Sequence, residues 1–445
     1  MEPLHLLPLV RRLALMGICA IVASTALPSC AQDGDDNAAG AVNSAPREGA
    51  DETMNVIKLE SKTMLDAMSP YAGAIYQHST GLSMIGPKGY SADNGQTWEA
   101  FTPGPDFDSA LPKGYRRGKH APWLDPVEDR ILVLVNSMDT PHVDPTIHEP
   151  PEAMETYYLR YRVSVDGGRT YLFDEPIVQQ GEGYSAERPL EGIIKNKNAF
   201  FLGDAGNKPI RLENGNVLVP IQASVLGPDE KLSRPGGGYY WLETIILIGA
   251  WQEDGHIVWD VSQRLTGDPD RTARGLYEGT LAQVPNGRVL LVMRGSNAGK
   301  KDPNCQWPSH KWYAVSEDSG KTWTDPTPWK YSDGSSFYSP SSMSVLMKHS
   351  SGKIFWVGNI SPNNPRANHP RWPLVMGQVD PETLGLMKGT VITIDTKLPE
   401  EDDVNLSHAN VLEDRQTGNI IIATSRASKG YKSRSPVVYV VSVAD

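Results

Sequence analysis

An octet of the form Ser-x-Asp-x-Gly-x-Thr-aromatic occurs three times in this chain, at Ser91 to Trp98, Ser164 to Tyr171 and Ser316 to Trp323. Each position has a turn role. Ser and Asp side chains accept from nearby backbone N–H groups, Gly supplies positive φ, and the aromatic ring is left to pack between neighbouring sheets. The third copy closes a longer unit. Tyr277-Glu278-Gly279-Thr280-Leu281 turns at Pro285-Asn286-Gly287-Arg288 into Val289-Leu290-Leu291-Val292-Met293-Arg294, and Lys311-Trp312-Tyr313-Ala314-Val315 leads into the octet. Apolar runs bounded by Asn-Gly and Ser-Gly read as hairpins, so this stretch predicts one small antiparallel sheet.

Turns between apolar runs recur near Gly81, Asp129, Gly215, Gly287, Gly352 and Gly418, at intervals of 48, 86, 72, 65 and 66 residues. Six such turns predict six sheets that bury their faces on one another around an axis. The expected fold is therefore all-β, a six-bladed β-propeller over residues 54–445 with no boundary for a second domain. Val56-Ile57-Lys58-Leu59 is expected to complete the last blade beside Val437 to Val443. The 41 Gly and 35 Pro among 445 residues suit such a turn-rich chain.

The N-terminus reads as an address. Arg11-Arg12 precedes an uncharged run from Leu13 to Leu27, too short to span a bilayer and of the length of a signal core. Residues 1–30 are thus expected to be a signal peptide and the protein to be exported. Leu27-Pro28-Ser29-Cys30 is similar to a lipobox, which would acylate Cys30 and anchor the chain in the cell envelope, in the periplasm or on the outer surface. Ordinary cleavage around Ser29-Cys30-Ala31 would instead give a periplasmic or secreted protein, and a twin-arginine route stays open. Residues 31–53 are acidic, rich in Ala, Gly and Asn, and without hydrophobic period, as expected of a disordered tether. Beyond them only Cys305 remains, so no internal disulfide is expected in the folded part. The net charge of −11 argues against a nucleic-acid partner but leaves room for a local basic funnel that takes an anionic sugar. Membrane contact is expected only through the lipid anchor, and the protein is expected to be a monomer.

In a propeller the first strand of each blade starts near the axis, so residues ahead of each turn converge there. They are Arg116, Arg117 and His120 in blade two, Asp204, Asn207 and Lys208 in blade three, and Glu278 in blade four. Blade five adds Tyr338, Ser339 and Ser341, and blade six His408 and Asn410. The set is markedly polar.

The octets resemble the Asp boxes (BNR repeats) of the sialidase (neuraminidase) superfamily, and the resemblance covers about residues 75–445. It extends to Tyr277-Glu278-Gly279-Thr280-Leu281 and Met293-Arg294, similar to the family's glutamate strand and the second arginine of its triad. Tyr115-Arg116-Arg117-Gly118-Lys119-His120-Ala121-Pro122 stands where the first arginine is found, as Arg116 or Arg117, and Arg371-Trp372-Pro373-Leu374-Val375 where the third is. The resemblance implies a propeller of sialidase type and a glycosidase that removes sialic acid or a related acidic sugar from glycans, with no cofactor. Three guanidiniums suit that substrate because each presents a planar pair of donors to a carboxylate. By the same resemblance a rim Asp, Asp139 or Asp144 in the loop between Val135 and Tyr157, is the general acid, and the glutamate, Glu278, polarises a tyrosine nucleophile.

The chain departs from the family in blade six. Leu406-Ser407-His408-Ala409-Asn410 stands where the tyrosine is expected, which leaves Tyr338 or Tyr431 to replace it. A uronic-acid lyase is the second reading: arginines neutralise the carboxylate while His120, His142 or His408 with Tyr338 moves the adjacent proton. A non-catalytic glycan-binding lipoprotein is the third. Arg294 and Arg371 are also compatible with rim salt bridges, and Tyr277, Trp312 and Trp323 are expected to pack between blades. His256, His310 and His349 lie beside turns and are expected to be solvated. His142, Asp144, His148 and Glu149 sit in a Pro-rich loop without regular ligand spacing, so no metal is expected.

Overall fold

The computed structural model describes residues 56–144, 147, 150–204, 206–428 and 432–444. The expected signal peptide, Cys30 and the expected tether lie outside these residues. Six antiparallel sheets succeed one another along the chain, arranged as the six blades of a β-propeller. Blade one holds Ile75–Tyr76, Met84–Gly86 and Gly89–Ser91; blade two Tyr115–Lys119, Trp123–Asp125, Arg130–Asp139, Tyr158–Ser164 and Asp174–Pro176. Blade three holds Phe200–Phe201, Ile210–Arg211, Val217–Ser224, Leu242–Trp251 and Ile257–Val261; blade four Tyr277–Gln283, Val289–Arg294, Lys311–Ser316 and Thr327–Pro328. Blade five holds Val345–Lys348, Ile354–Asn359, Leu374–Val379 and Ile392–Asp395; blade six Asn410–Glu413, Ile420–Ser428 and Ser433–Val443. The helical segments among the described residues are one turn at Ala153–Thr156 and a 3-10 turn at Lys388–Thr390.

The six turns expected from sequence are the first hairpins of the six blades. Gly81, Gly215, Gly287, Gly352 and Gly418 have φ of 82°, 93°, 85°, 82° and 70°, and Asp129 adopts 53°, the region a tight hairpin demands and L side chains avoid. The last blade closes on the chain start. Ile57–Met64 pairs antiparallel with Ser433–Val443, Ile57 opposite Val443 and Met64 opposite Val437, with a register shift between Leu59 and Ser61. This covers an edge that would otherwise offer unpaired backbone groups.

Faces of consecutive blades supply the core. Leu132 and Leu159 of blade two pack with Val219 and Leu247 of blade three, and Leu218 and Ile246 meet Leu291 and Ala314 of blade four. Val292 meets Leu346 and Trp356 of blade five, and Phe355 and Met376 meet Ile422 and Tyr439 of blade six. Ala74, Tyr76 and Met84 of blade one pack against Leu412 of blade six, and Ile85 against Ile131 and Val133 of blade two, which closes the ring. Each fully buried aliphatic or aromatic side chain stabilises this ring by about 1.5–3 kcal/mol.

The three octets fold alike, each starting on the last residue of a strand: Gly89–Ser91, Tyr158–Ser164 and Lys311–Ser316. Gly95, Gly168 and Gly320 donate to the hydroxyls of Ser91, Ser164 and Ser316, each at 2.8 Å. Asp93, Asp166 and Asp318 accept from the N–H and the hydroxyl of Thr97, Thr170 and Thr322. The Thr97 hydroxyl and N–H hold the Asp93 carboxyl down at about 2. The aromatic residue packs on the preceding blade: Trp98 in the cluster with Leu412, Tyr171 with Ile85, and Trp323 with Leu218.

Candidate active site

An arginine cluster forms from the segment ahead of blade four, the end of that blade's second strand and the loop ahead of the third strand of blade five. Glu278 sits at a register shift between Tyr277 and Thr280, with φ of 48° and its N–H bonded to Gln222 Oε1 at 3.1 Å. Tyr277 pairs with Arg294 across the sheet, so the bulge turns Glu278 onto that arginine. Arg294 Nη1 lies 2.6 and 2.5 Å from the two Glu278 oxygens. Arg294 Nε donates to Ser341 Oγ at 2.9 Å, and Nη2 donates to Asn368 Oδ1 at 3.1 Å. Burial works against the Arg294 charge, but the Glu278 carboxylate holds its pKa well above the ordinary value.

A second guanidinium joins the first. Arg274, only 4% exposed, donates through Nη2 to the same Ser341 Oγ and the same Asn368 Oδ1, both at 3.1 Å. Through Nη1 it donates to the hydroxyls of Tyr239 and Tyr240 at 2.9 and 3.0 Å, and it lies over the rings of Tyr239, Tyr240 and Tyr277. Arg371 completes the group, donating from Nε to Asn368 O at 3.1 Å, from Nη1 to Ser407 Oγ at 3.1 Å and from Nη2 to Ser341 O at 3.3 Å. Three arginines thus meet around Ser341 and Asn368. Below them Lys311, opposite Arg294 in the sheet, is fully buried and bonds Pro340 O and Ser342 O, fixing the loop that carries Ser341. Burial, with Arg294 adding to it, drives the Lys311 pKa well below normal.

Beside Arg371 runs a chain of hydrogen bonds into blade three. Ser407 Oγ is 2.8 Å from His408 Nδ1, and His408 Nε2 is 2.9 Å from Asp204 Oδ2. Because Ser407 accepts from Arg371, its own proton points to Nδ1, which places the ring proton on Nε2, facing Asp204. Asp204 is buried and His408 holds φ of 62°. His120 lines a small cavity with Asp204, Asn207 and Lys208. Asn136 donates to its Nε2 at 3.0 Å, and burial lowers its pKa to about 4, against the pull of Asp204. Burial also lowers Lys208 to about 8.

The structure thus brings Glu278, Arg294, Arg371 and His408 together with Asp204, another of the residues expected at the axis, and adds Arg274, Ser407 and Asn368. It does not bring Arg117 there. Arg117 Nη1 donates to Asp139 Oδ1 at 2.8 Å and its guanidinium lies over Tyr115 and Tyr158; the arginine beside Arg294 is Arg274. Arg116 donates to Thr140 Oγ1 and Asp144 O. Asp139 is not in a loop but ends the strand Arg130–Asp139, and its second oxygen accepts from the Tyr158 hydroxyl at 2.8 Å, so a proton to donate would displace an existing bond. Asp144 is exposed at the edge of the following loop. His142 is exposed and 3.3 Å from Glu152. Tyr338 is 37% exposed and stacks on His310. Tyr431 lies outside the described residues. His349, expected to be solvated, is buried, because its Nε2 bonds Gly418 O of the next blade at 2.8 Å.

No protein-family model and no curated sequence matches the chain. Solved structures do. The Hadza microbial sialidase Hz136 matches with TM-score 0.50 and 16% identity over 87% of this chain, which spans 66% of that one. The intramolecular trans-sialidase from Ruminococcus gnavus, solved with oseltamivir carboxylate, matches with TM-score 0.50 and 11% identity, over 86% of this chain and 94% of that one. At these identities the likeness is one of fold: a six-bladed β-propeller of the sialidase type.

Proposed function

We propose that the protein is an exported glycosidase that removes a carboxylate-bearing sugar, sialic acid or a relative, from a glycan. The observation that carries this reading is Arg274. It is buried, yet its hydrogen-bond partners are three hydroxyls and an amide, and a buried cation bonded to neutral groups is costly unless an anion arrives. With Arg294 and Arg371 beside it, a substrate carboxylate meets three planar donors, and losing one should weaken binding by roughly 2–5 kcal/mol. Glu278 orients Arg294. Asp204 holds the Nε2–H of His408, which leaves Nδ1 as the basic nitrogen, reached through the Ser407 hydroxyl next to the carboxylate site.

The same chain of bonds favours a second reading. A uronate lyase needs a base close to the arginine that neutralises the carboxylate, and His408 is one hydroxyl away from Arg371. Incubating the full chain with sialylated glycans and, in parallel, with uronate polysaccharides separates the two. A free saturated acidic sugar, lost in Arg274→Ala, supports the hydrolase; an unsaturated uronate supports the lyase. Binding with no product from either would reduce the protein to a glycan-binding module.

A further inference from the structure

The arginine cluster already holds an oxygen. Asn368 Oδ1 accepts from Arg274 Nη2 and from Arg294 Nη2, each at 3.1 Å, and the carbonyl of the same residue accepts from Arg371 Nε. Two guanidiniums converging on one oxygen is the arrangement a bound carboxylate makes. The backbone under Asn368 is pinned. Ala367 N donates to Asn297 Oδ1 at 2.9 Å, Ser341 N to Ala367 O at 2.8 Å, and Arg366 and His369 exchange both backbone bonds. Only the side chain, half-buried at the site, is left to rotate.

We propose that Asn368 is a specificity-determining residue of the arginine site, its amide oxygen standing in for one oxygen of the sugar carboxylate and swinging out as the sugar binds. This rests on the reading that the arginines take a carboxylate. The selectivity comes from charge. A hydroxyl or ester carbonyl that displaced Asn368 would exchange one neutral acceptor for another, whereas a carboxylate replaces a dipole by a full charge on two guanidiniums. An aspartate at this position would satisfy Arg274 permanently and shut the site.

The test compares wild type, Asn368→Asp and Asn368→Ala as full-length proteins, titrated calorimetrically with sialic acid, galacturonic acid and their methyl esters, and melted without ligand. Asn368→Ala is expected to bind the acids at least as tightly as wild type. Asn368→Asp is expected to bind them roughly 10-fold or more weakly and to melt higher. Equal losses in both variants would make the amide a strut and overturn the proposal, as would undiminished binding by Asn368→Asp. If wild type binds none of these sugars, the proposed function fails and the melting curves decide: a higher midpoint for Asn368→Asp upholds an anion-seeking site, and an equal or lower one sinks it.

Discussion

Gly203→Ala is a one-methyl perturbation that presses on the site through three side chains, Glu278 first among them. A Cβ at Gly203 would lie 2.4 Å from Glu278 Cγ, 2.8 Å from Gln222 Oε1 and 3.0 Å from Asn207 Oδ1. None of the three is idle. Gln222 Oε1 accepts from the Glu278 N–H, and Asn207 Oδ1 accepts from the N–H groups of Gly203 and Asp204. Carbon atoms rest at about 3.5–4.0 Å, so Glu278 Cγ must retreat by about 1 Å. Its carboxylate holds Arg294 at 2.5 and 2.6 Å, and that pairing does not survive such a shift. Overpacking of this size costs about 1–3 kcal/mol, a drop of a few degrees in Tm. A misplacement of about 1 Å at a reacting centre costs roughly 100-fold in rate. The expected outcome is therefore a folded protein with kcat for acidic-sugar release down by about two orders of magnitude. Gly118→Ala serves as control, because its Cβ meets nothing nearer than 3.6 Å. If Gly203→Ala keeps kcat within about threefold of the control, the Glu278–Arg294 pair does not position the site.

Asp204→Asn should lower kcat by roughly 10²- to 10⁴-fold with little change in KM or Tm, since it replaces the carboxylate that holds the His408 Nε2–H by an amide that carries no charge and can turn its NH2 to the ring, so that the tautomer is no longer fixed; an unchanged kcat would exclude the pair from proton transfer. His120 titrates near 4 when folded and near 6.5 when free, so between these values the unfolded chain takes up a proton that the folded chain refuses. Stability should fall as pH drops through that window, and urea titrations of His120→Gln should show a shallower slope there. Asp318→Ala removes the acceptor for Thr322 and Ser316 in the third octet and should cost about 1 kcal/mol in a urea unfolding curve. Deleting residues 1–64 uncovers the edge strand Ser433–Val443, and size-exclusion chromatography should show aggregation where the full chain runs as a single species.

Much of the architecture can be read from local chemistry. Asn-Gly and Ser-Gly turns need positive φ, and the octets bond within themselves, so neither depends on distant residues. The pairing of Val56 to Leu59 with the last blade is legible because propellers need ring closure. The site is harder. Glu278, Arg294 and Arg371 stand on or beside strands whose register carries them inward. Arg274 belongs to a loop without periodic pattern, three residues ahead of the strand Tyr277–Gln283; extending the range of axis-facing positions back by one turn would include it. Arg117 is misplaced by sequence alone because position in the chain does not show what a guanidinium pairs with, and Asp139 lies across the same sheet. Asn368 and Ser407 act through bonds between blades, for which a single sequence has no signal.

The buried arginines divide by their partners. Arg162 pairs with Asp108 and Asp174, and Arg426 with Asp395 and Glu401; each is neutralised by carboxylates, as expected of a charge whose task is to hold elements together. Arg274 is as buried as these and bonds neutral atoms. The positive φ of Glu278, Ala367 and His408 falls beside it: Glu278 on Arg294, Ala367 next to Asn368, His408 next to Ser407. Ala367 opens the two-residue turn closed by Arg366 and His369, but Glu278 within a strand and His408 just ahead of one adopt left-handed backbone outside any turn; neither that nor an uncompensated cation favours folding, and stability alone would remove both. Their meeting around one amide oxygen is what the proposed site for an anion from outside the chain requires, and it is the reason to look for the ligand there first.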